Sequence, residues 1–159
     1  MSPQVERHAV RALLLDPDGH VLLLRAREPT SGREFWITPG GGRDPDEPLD
    51  ACLRREVREE TGLADFEPGP LVWRREHRFD WAGQRVHQRE EFFLVRVARF
   101  EPRAEGWTHE ERRDLLEFRW WNADAIAASP DEFVPGAFAR WLRALVREGA
   151  APTTIDVGI

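Results

Sequence analysis

The sequence predicts an α/β fold, an α/β/α sandwich with a mixed β-sheet between helices, and three observations carry that prediction. Two apolar, strand-like runs open the chain, a glycine-rich loop leads into a helix-period segment, and a second hairpin, a further strand and an amphipathic segment follow. Strands and helices in that order pack as helical layers on the faces of one sheet. The 159 residues fit a single domain, residues 1–159, with about 150–159 as a loose C-terminal tail.

His8 to Leu15 and His20 to Ala26 are separated by Asp16-Pro17-Asp18-Gly19, which has turn chemistry at every position and predicts a β-hairpin. Arg25 and Arg27 leave the second strand within reach of phosphate oxygens, and a polar loop returns into Phe35-Trp36-Ile37-Thr38. Pro39-Gly40-Gly41-Gly42 then gives a backbone that can approach a ligand closely. A helix begins near Glu47, with Asp46 or Glu47 as its cap and Pro48 in its first turn, and Gly62 suits its C-terminus. Leu49, Leu53 and Val57, spaced by four, form its packing stripe.

Leu71 to Phe79 and Gln84 to Phe100 form a long hairpin joined by Asp80 to Gly83. A turn centred on Ala82 sets His77 opposite His87; without a third ligand, the pair reads as a polar face rather than a zinc site. Glu90 and Glu91 precede an apolar run and are candidates for contacts with substrate or metal, and Glu101 to Arg113 is a charged connector. Leu115 to Trp121 is a strand, and Asn122 caps a short helix through Ala128. Val134, Phe138, Trp141, Leu142, Leu145 and Val146 mark a terminal amphipathic helix ending near Gly149.

With 23 basic and 29 acidic side chains the net charge is −6, which advertises neither nucleic-acid nor membrane-surface binding. A single cysteine, Cys52, excludes an intrachain disulfide and argues against a cysteine-built zinc site. The N-terminal stretch shows no signal-peptide cleavage site and no run is apolar enough to span a membrane, so the expected location is the cytoplasm.

The chemistry concentrates in Gly41 to Leu63. Glu56, Glu59 and Glu60 fall within an arc of roughly 100° on a helix. Like charges so placed need a counter-charge, and hard divalent cations such as Mg2+ favour oxygen ligands completed by phosphates and water. Gly41, Glu47, Arg55-Glu56, Val57, Glu59-Glu60, Gly62 and Leu63 stand at the intervals of the Nudix box, with every specified position filled, so the chain resembles the Nudix hydrolase family (MutT-like).

That resemblance implies a metal-dependent pyrophosphohydrolase, using Mg2+ or Mn2+, that cleaves a phosphoanhydride in a nucleoside diphosphate linked to another group. Glu56, Glu59 and Glu60 are then the metal ligands together with the Gly40 carbonyl, and Arg55 holds the carboxylates. Glu47 supports the site through hydrogen bonds, and Gly62 closes the helix. The base is either Glu56 or a glutamate on the loop before the last strand, Glu111 or its neighbour Glu110. Arg25, Trp36 and Gly41 are the candidate substrate contacts, with Trp36 stacking on a base. A (d)NTP or related small-molecule nucleotide leads as substrate, because the proline, tyrosine and accessory signatures of other branches are missing. A non-catalytic nucleotide sensor or scaffold and an RNA-end pyrophosphohydrolase are the alternatives. The resemblance also makes a homodimer an expectation.

Overall fold

Val5–Leu15 (β1) is the strand on which the sheet assembles in the computed structural model, which describes residues 3–159. Met1 and Ser2, at the start of the stretch expected to lack a leader, lie outside the described residues. Along its whole length β1 pairs in parallel with Gln84–Arg96 (β6). On its other side it meets Val21–Arg27 (β2) at Leu15↔Val21 and Gly40–Gly42 (β4) at Ala9 to Arg11. The predicted hairpin therefore forms, with Asp16 Oδ1 accepting the N–H groups of Asp18 and His20 at 2.9 and 2.8 Å. Glu34–Ile37 (β3) and Leu115–Trp121 (β7) pair with β2, while Leu71–Trp81 (β5) pairs with β6 and Ile155–Asp156 (β8) with β5. The resulting order is β3-β2-β1-β6-β5-β8, with β4 on β1 and β7 on β2. The sheet curls until Ala82, at the tip of the β5–β6 hairpin, donates its N–H to Glu28 Oε1 at 2.9 Å beside β3.

Strand alternation gives the sheet two apolar faces. Val10, Ala12 and Leu14 meet Cys52, Leu53 and Val57 of Leu49–Thr61 (α1). Leu13 and Leu15 face Ile126 of Ala123–Ala128 (α3) and Phe138, Leu142 and Leu145 of Phe138–Glu148 (α4). A fourth helix, His109–Asp114 (α2), precedes β7. Asn122 caps α3 as expected, accepting the Ala125 N–H at 2.8 Å.

Four details depart from the sequence reading, each for a local reason. First, α1 begins at Leu49 after Pro48, without a side-chain cap, because the Glu47 carboxylate is taken by Arg55 and by the Asp44 N–H. Second, the β5–β6 turn is the two-residue Ala82-Gly83, both at positive φ (51° and 78°), so His77 pairs with Gln88 and His87 with Arg78. A slip of one residue exchanges faces, and the two histidines part. Third, the segment expected to be a loose tail supplies β8, and Val157 enters the core beside Trp73. Fourth, Val146 on α4 is 48% exposed and Val134 precedes the helix, so the stripe is narrower than its spacing suggested. Among the described residues, no helix is long and apolar enough to cross a membrane.

Leu142 is fully buried where α4 meets the sheet. Leu142→Ala is expected to cost about 2–5 kcal/mol in urea unfolding through its cavity.

Candidate active site

Glu56, Glu60 and Glu111 each offer a carboxylate oxygen, and these three atoms lie within 4.8 Å of one another. The i, i+4 spacing stacks Glu56 and Glu60 on one face of α1. Glu111 arrives from α2 and is locked by a reciprocal cap: Thr108 Oγ1 accepts the Glu111 N–H at 3.1 Å, and Glu111 Oε1 accepts the Thr108 N–H at 2.9 Å. The charged connector thus carries a short helix that fixes the third carboxylate. Glu110, its neighbour, lies outside the trio.

The loop before α2 also grips the end of α1. Trp107 Nε1 donates to Glu60 O at 2.7 Å, and the Arg103 N–H donates to Thr61 O at 2.8 Å. Gly106 passes so close that a Cβ there would lie 2.7 Å from Glu59 O. Gly62, at φ 82°, closes α1 with its N–H on Arg58 O at 2.9 Å, as expected.

Arg55 is the hub of the site. It grips Glu47 with two hydrogen bonds of 2.8 and 2.9 Å, donates to Glu56 Oε1 at 2.9 Å and to Gly42 O at 3.3 Å, and reaches Glu59 Oε2 at 3.5 Å. The fork matches a carboxylate in plane, which a lysine would not do. Arg55, followed by the Asp44 N–H, holds the Glu47 carboxyl down at about 2, and the hydrogen bond to Glu47 raises the Arg55 guanidinium in turn. Burial pushes the other way on Glu56 and Glu60, raising Glu56, which Arg55 moderates, and raising Glu60 well above its ordinary value of 4.5, which Arg11 moderates.

Gly40 and Gly41 form part of β4 rather than a free turn. The Gly40 N–H donates to Glu60 Oε2 at 3.4 Å, and a Cβ on Gly41 would lie 2.5 Å from Glu56 Oε2. The glycines let the strand edge lie flush against the carboxylates. Glu59 is a partly exposed neighbour that meets Arg55 and stands outside the trio.

Two candidate substrate contacts are placed elsewhere. Trp36 is 1% exposed, in the core with Trp121 and Phe133, and its Nε1 donates to Asp131 Oδ2 at 3.0 Å; in this structure its ring is not free to stack on a base. Arg25 contacts Glu34, Glu117 and the Trp36 ring, none of which belongs to the carboxylate cluster. Arg27 reaches Arg113 O, at 3.5 Å. Glu91 pairs with His8, and Glu90 lies in a buried ion-pair network. Burial raises the Cys52 thiol to about 12, so it is a packing residue.

Sequence reasoning passed over Arg7 and Arg11. Arg7 Nε lies 3.0 Å from where a Cβ on Gly42 would stand, and its guanidinium has no ion-pair partner among the described residues. They stand at i, i+4 on one face of β1, a signal hidden among the other polar residues, Glu6 and His8, at the start of the strand.

Comparison with known proteins matches the chain to a family: the NUDIX domain model covers residues 5–142. The chain belongs to the NUDIX family. It is 30% identical, over 81% of its length and 83% of the relative's, to an RNA pyrophosphohydrolase of Novosphingobium aromaticivorans. It is 28% identical, over 81% and 77%, to an RNA pyrophosphohydrolase of Caulobacter vibrioides. Among solved structures, the MutT protein from Methanosarcina mazei Go1 superposes with a TM-score of 0.60 at 26% identity, over 93% of this chain and 98% of that one. A MutT NUDIX hydrolase from Burkholderia pseudomallei gives 0.57 at 26% identity, over 87% and 96%. The chain is therefore a Nudix hydrolase, a class that acts on phosphoanhydride bonds.

Because Glu56 and Glu60 bind protons more tightly folded than unfolded, their contribution to stability is full below their ordinary value of 4.5 and is lost as pH rises through the raised folded values. In EDTA, the melting temperature is expected to fall as pH rises through that window, and Mg2+ is expected to restore it increasingly, since metal and proton compete. Gly41→Ala displaces the Glu56 carboxylate and should weaken Mn2+ binding, measured by calorimetry, with little change in melting temperature.

Proposed function

We propose that this Nudix hydrolase is a divalent-metal-dependent pyrophosphohydrolase of nucleoside 5′-polyphosphates, with a (d)NTP or related small nucleotide as substrate. The observation that carries this reading is the convergence of Glu56, Glu60 and Glu111 from two helices to within 4.8 Å. Three hard oxygen donors so close suit Mg2+ or Mn2+, and the Gly40 carbonyl and Glu59 would add further oxygen donors. A divalent cation held there would neutralise phosphate charge and acidify a bound water.

The chain's own residues do the rest. Arg55 orients Glu56 and Glu59, and Glu47 holds Arg55 in place. Glu111 or Glu56 accepts the proton of the attacking water. Glycines 40 to 42 keep the strand edge clear of side chains, and Arg7, exposed beside Gly42, offers charge to phosphate oxygens.

A second reading is supported by the curated relatives, which are named RNA pyrophosphohydrolases: the same site would then act on a triphosphorylated RNA 5′ end. Both readings require the same reacting group. Phosphate and pyrophosphate release should be followed with Mg2+ or Mn2+ on (d)NTPs, nucleotide sugars, dinucleotides and 5′-triphosphorylated RNA. Turnover of a free nucleotide, lost by orders of magnitude in Glu59→Gln and Glu60→Gln, is the expected result. Preference for the RNA would select the second reading. Nucleotide binding without turnover of any substrate would leave a sensor or scaffold.

A further inference from the structure

A buried charged network lies behind the carboxylate trio, on β1, β5 and β6. Its centre is Glu90, 3% exposed. Oε1 accepts from Arg75 Nη1 at 2.7 Å and contacts His77 Nε2 at 3.1 Å, while Oε2 accepts from Arg11 Nε at 2.8 Å. Arg75, equally buried, donates from Nε to Gly158 O at 3.0 Å. Arg11 Nη1 donates to Thr38 O at 3.3 Å. An unbroken chain of contacts therefore joins the C-terminal segment to the residues just before the glycine strand.

Packing alone does not account for these charges, because apolar side chains of similar volume would fill the same space at equal or lower cost. Their placement does. Gly40, at φ 147°, lies against Arg11 so closely that a Cβ would stand 2.9 Å from Arg11 Cδ. The N–H of that glycine holds Glu60, and its carbonyl is the backbone oxygen assigned above to the metal. Arg11 thus touches the one backbone segment that positions both donors, and Glu90 fixes the Arg11 side chain from behind.

We propose that Arg11 is a positioning residue for the metal site, held by Glu90 and Arg75, and that the C-terminal segment at Gly158 anchors this network. The proposal rests on the metal-site reading, and its test separates the two. Mn2+ alone is titrated into the full-length protein and free Mn2+ is followed by electron paramagnetic resonance, with kcat, KM and melting temperature measured on the same samples. Arg11→Lys keeps the cation but loses the fork that joins Glu90 to Thr38; it is expected to weaken Mn2+ binding about tenfold and to lower kcat more than it raises KM. Arg75→Gln, which can still reach Glu90 but not Gly158 as well, is expected to shift Mn2+ binding in the same direction by less, and carries the test if Arg11→Lys does not fold. Unchanged Mn2+ affinity and kcat in a folded variant, with only the melting temperature lowered, would assign the network to stability alone and overturn the proposal. A wild-type protein that binds no Mn2+ would instead remove the metal-site reading on which it rests.

Discussion

Mutual repulsion among Glu56, Glu60 and Glu111 is the constraint on which the rest of the structure depends. Three carboxylates within 4.8 Å, two of them buried, are unfavourable unless cations surround them. The fold answers from two sides. Arg55, on the same helix, bonds Glu56 directly and is held by Glu47; Arg11, on β1, faces Glu60 from across Gly40 and is held by Glu90. Each arginine is also tied by a second acid, Glu47 or Glu90, so neither is wholly committed to the trio. An excess of negative charge is left at the centre, which is what the proposed divalent cation would neutralise.

The architecture makes that arrangement possible. Because β1 and β2 pair only at Leu15↔Val21 and then part, β4 can lie along β1 and bring glycine backbone, instead of side chains, to the mouth of α1. The apolar stripe of α1 settles on one sheet face, which turns Glu56 and Glu60 toward the strand edge. The loop from Arg103 to Thr108 then closes over the helix end and delivers Glu111. Arg27, next to Ala26 where β2 pairs with Leu115 of β7, meets the carbonyl of Arg113 in the last turn of α2.

Local chemistry was legible in the sequence, and long-range contacts were not. The stripe of Leu49, Leu53 and Val57, the C-terminal Gly62, the Asn122 cap and the strand at Leu115 to Trp121 all follow from short-range rules, and each is present. The family pattern picked out Glu111 by its position on a loop, but only the capping box with Thr108 explains why it is rigid. Trp36 was misread because an aromatic beside a glycine loop looks available, whereas strand pairing with β2 turns it into the core with Trp121. The Ala82-Gly83 turn shifted the histidines because its two positive φ angles are not written in the residue alanine. The C-terminal strand escaped notice because two residues carry no periodicity; its partner, Trp73-Arg74, lies far away in sequence.

Anomalous diffraction from crystals grown with Mn2+ tests the central claim most directly. The account predicts a peak within coordination distance of Glu56, Glu60 and Glu111, beside the Gly40 carbonyl. A peak elsewhere, or an ordered trio that holds no metal at saturating Mn2+, would contradict it.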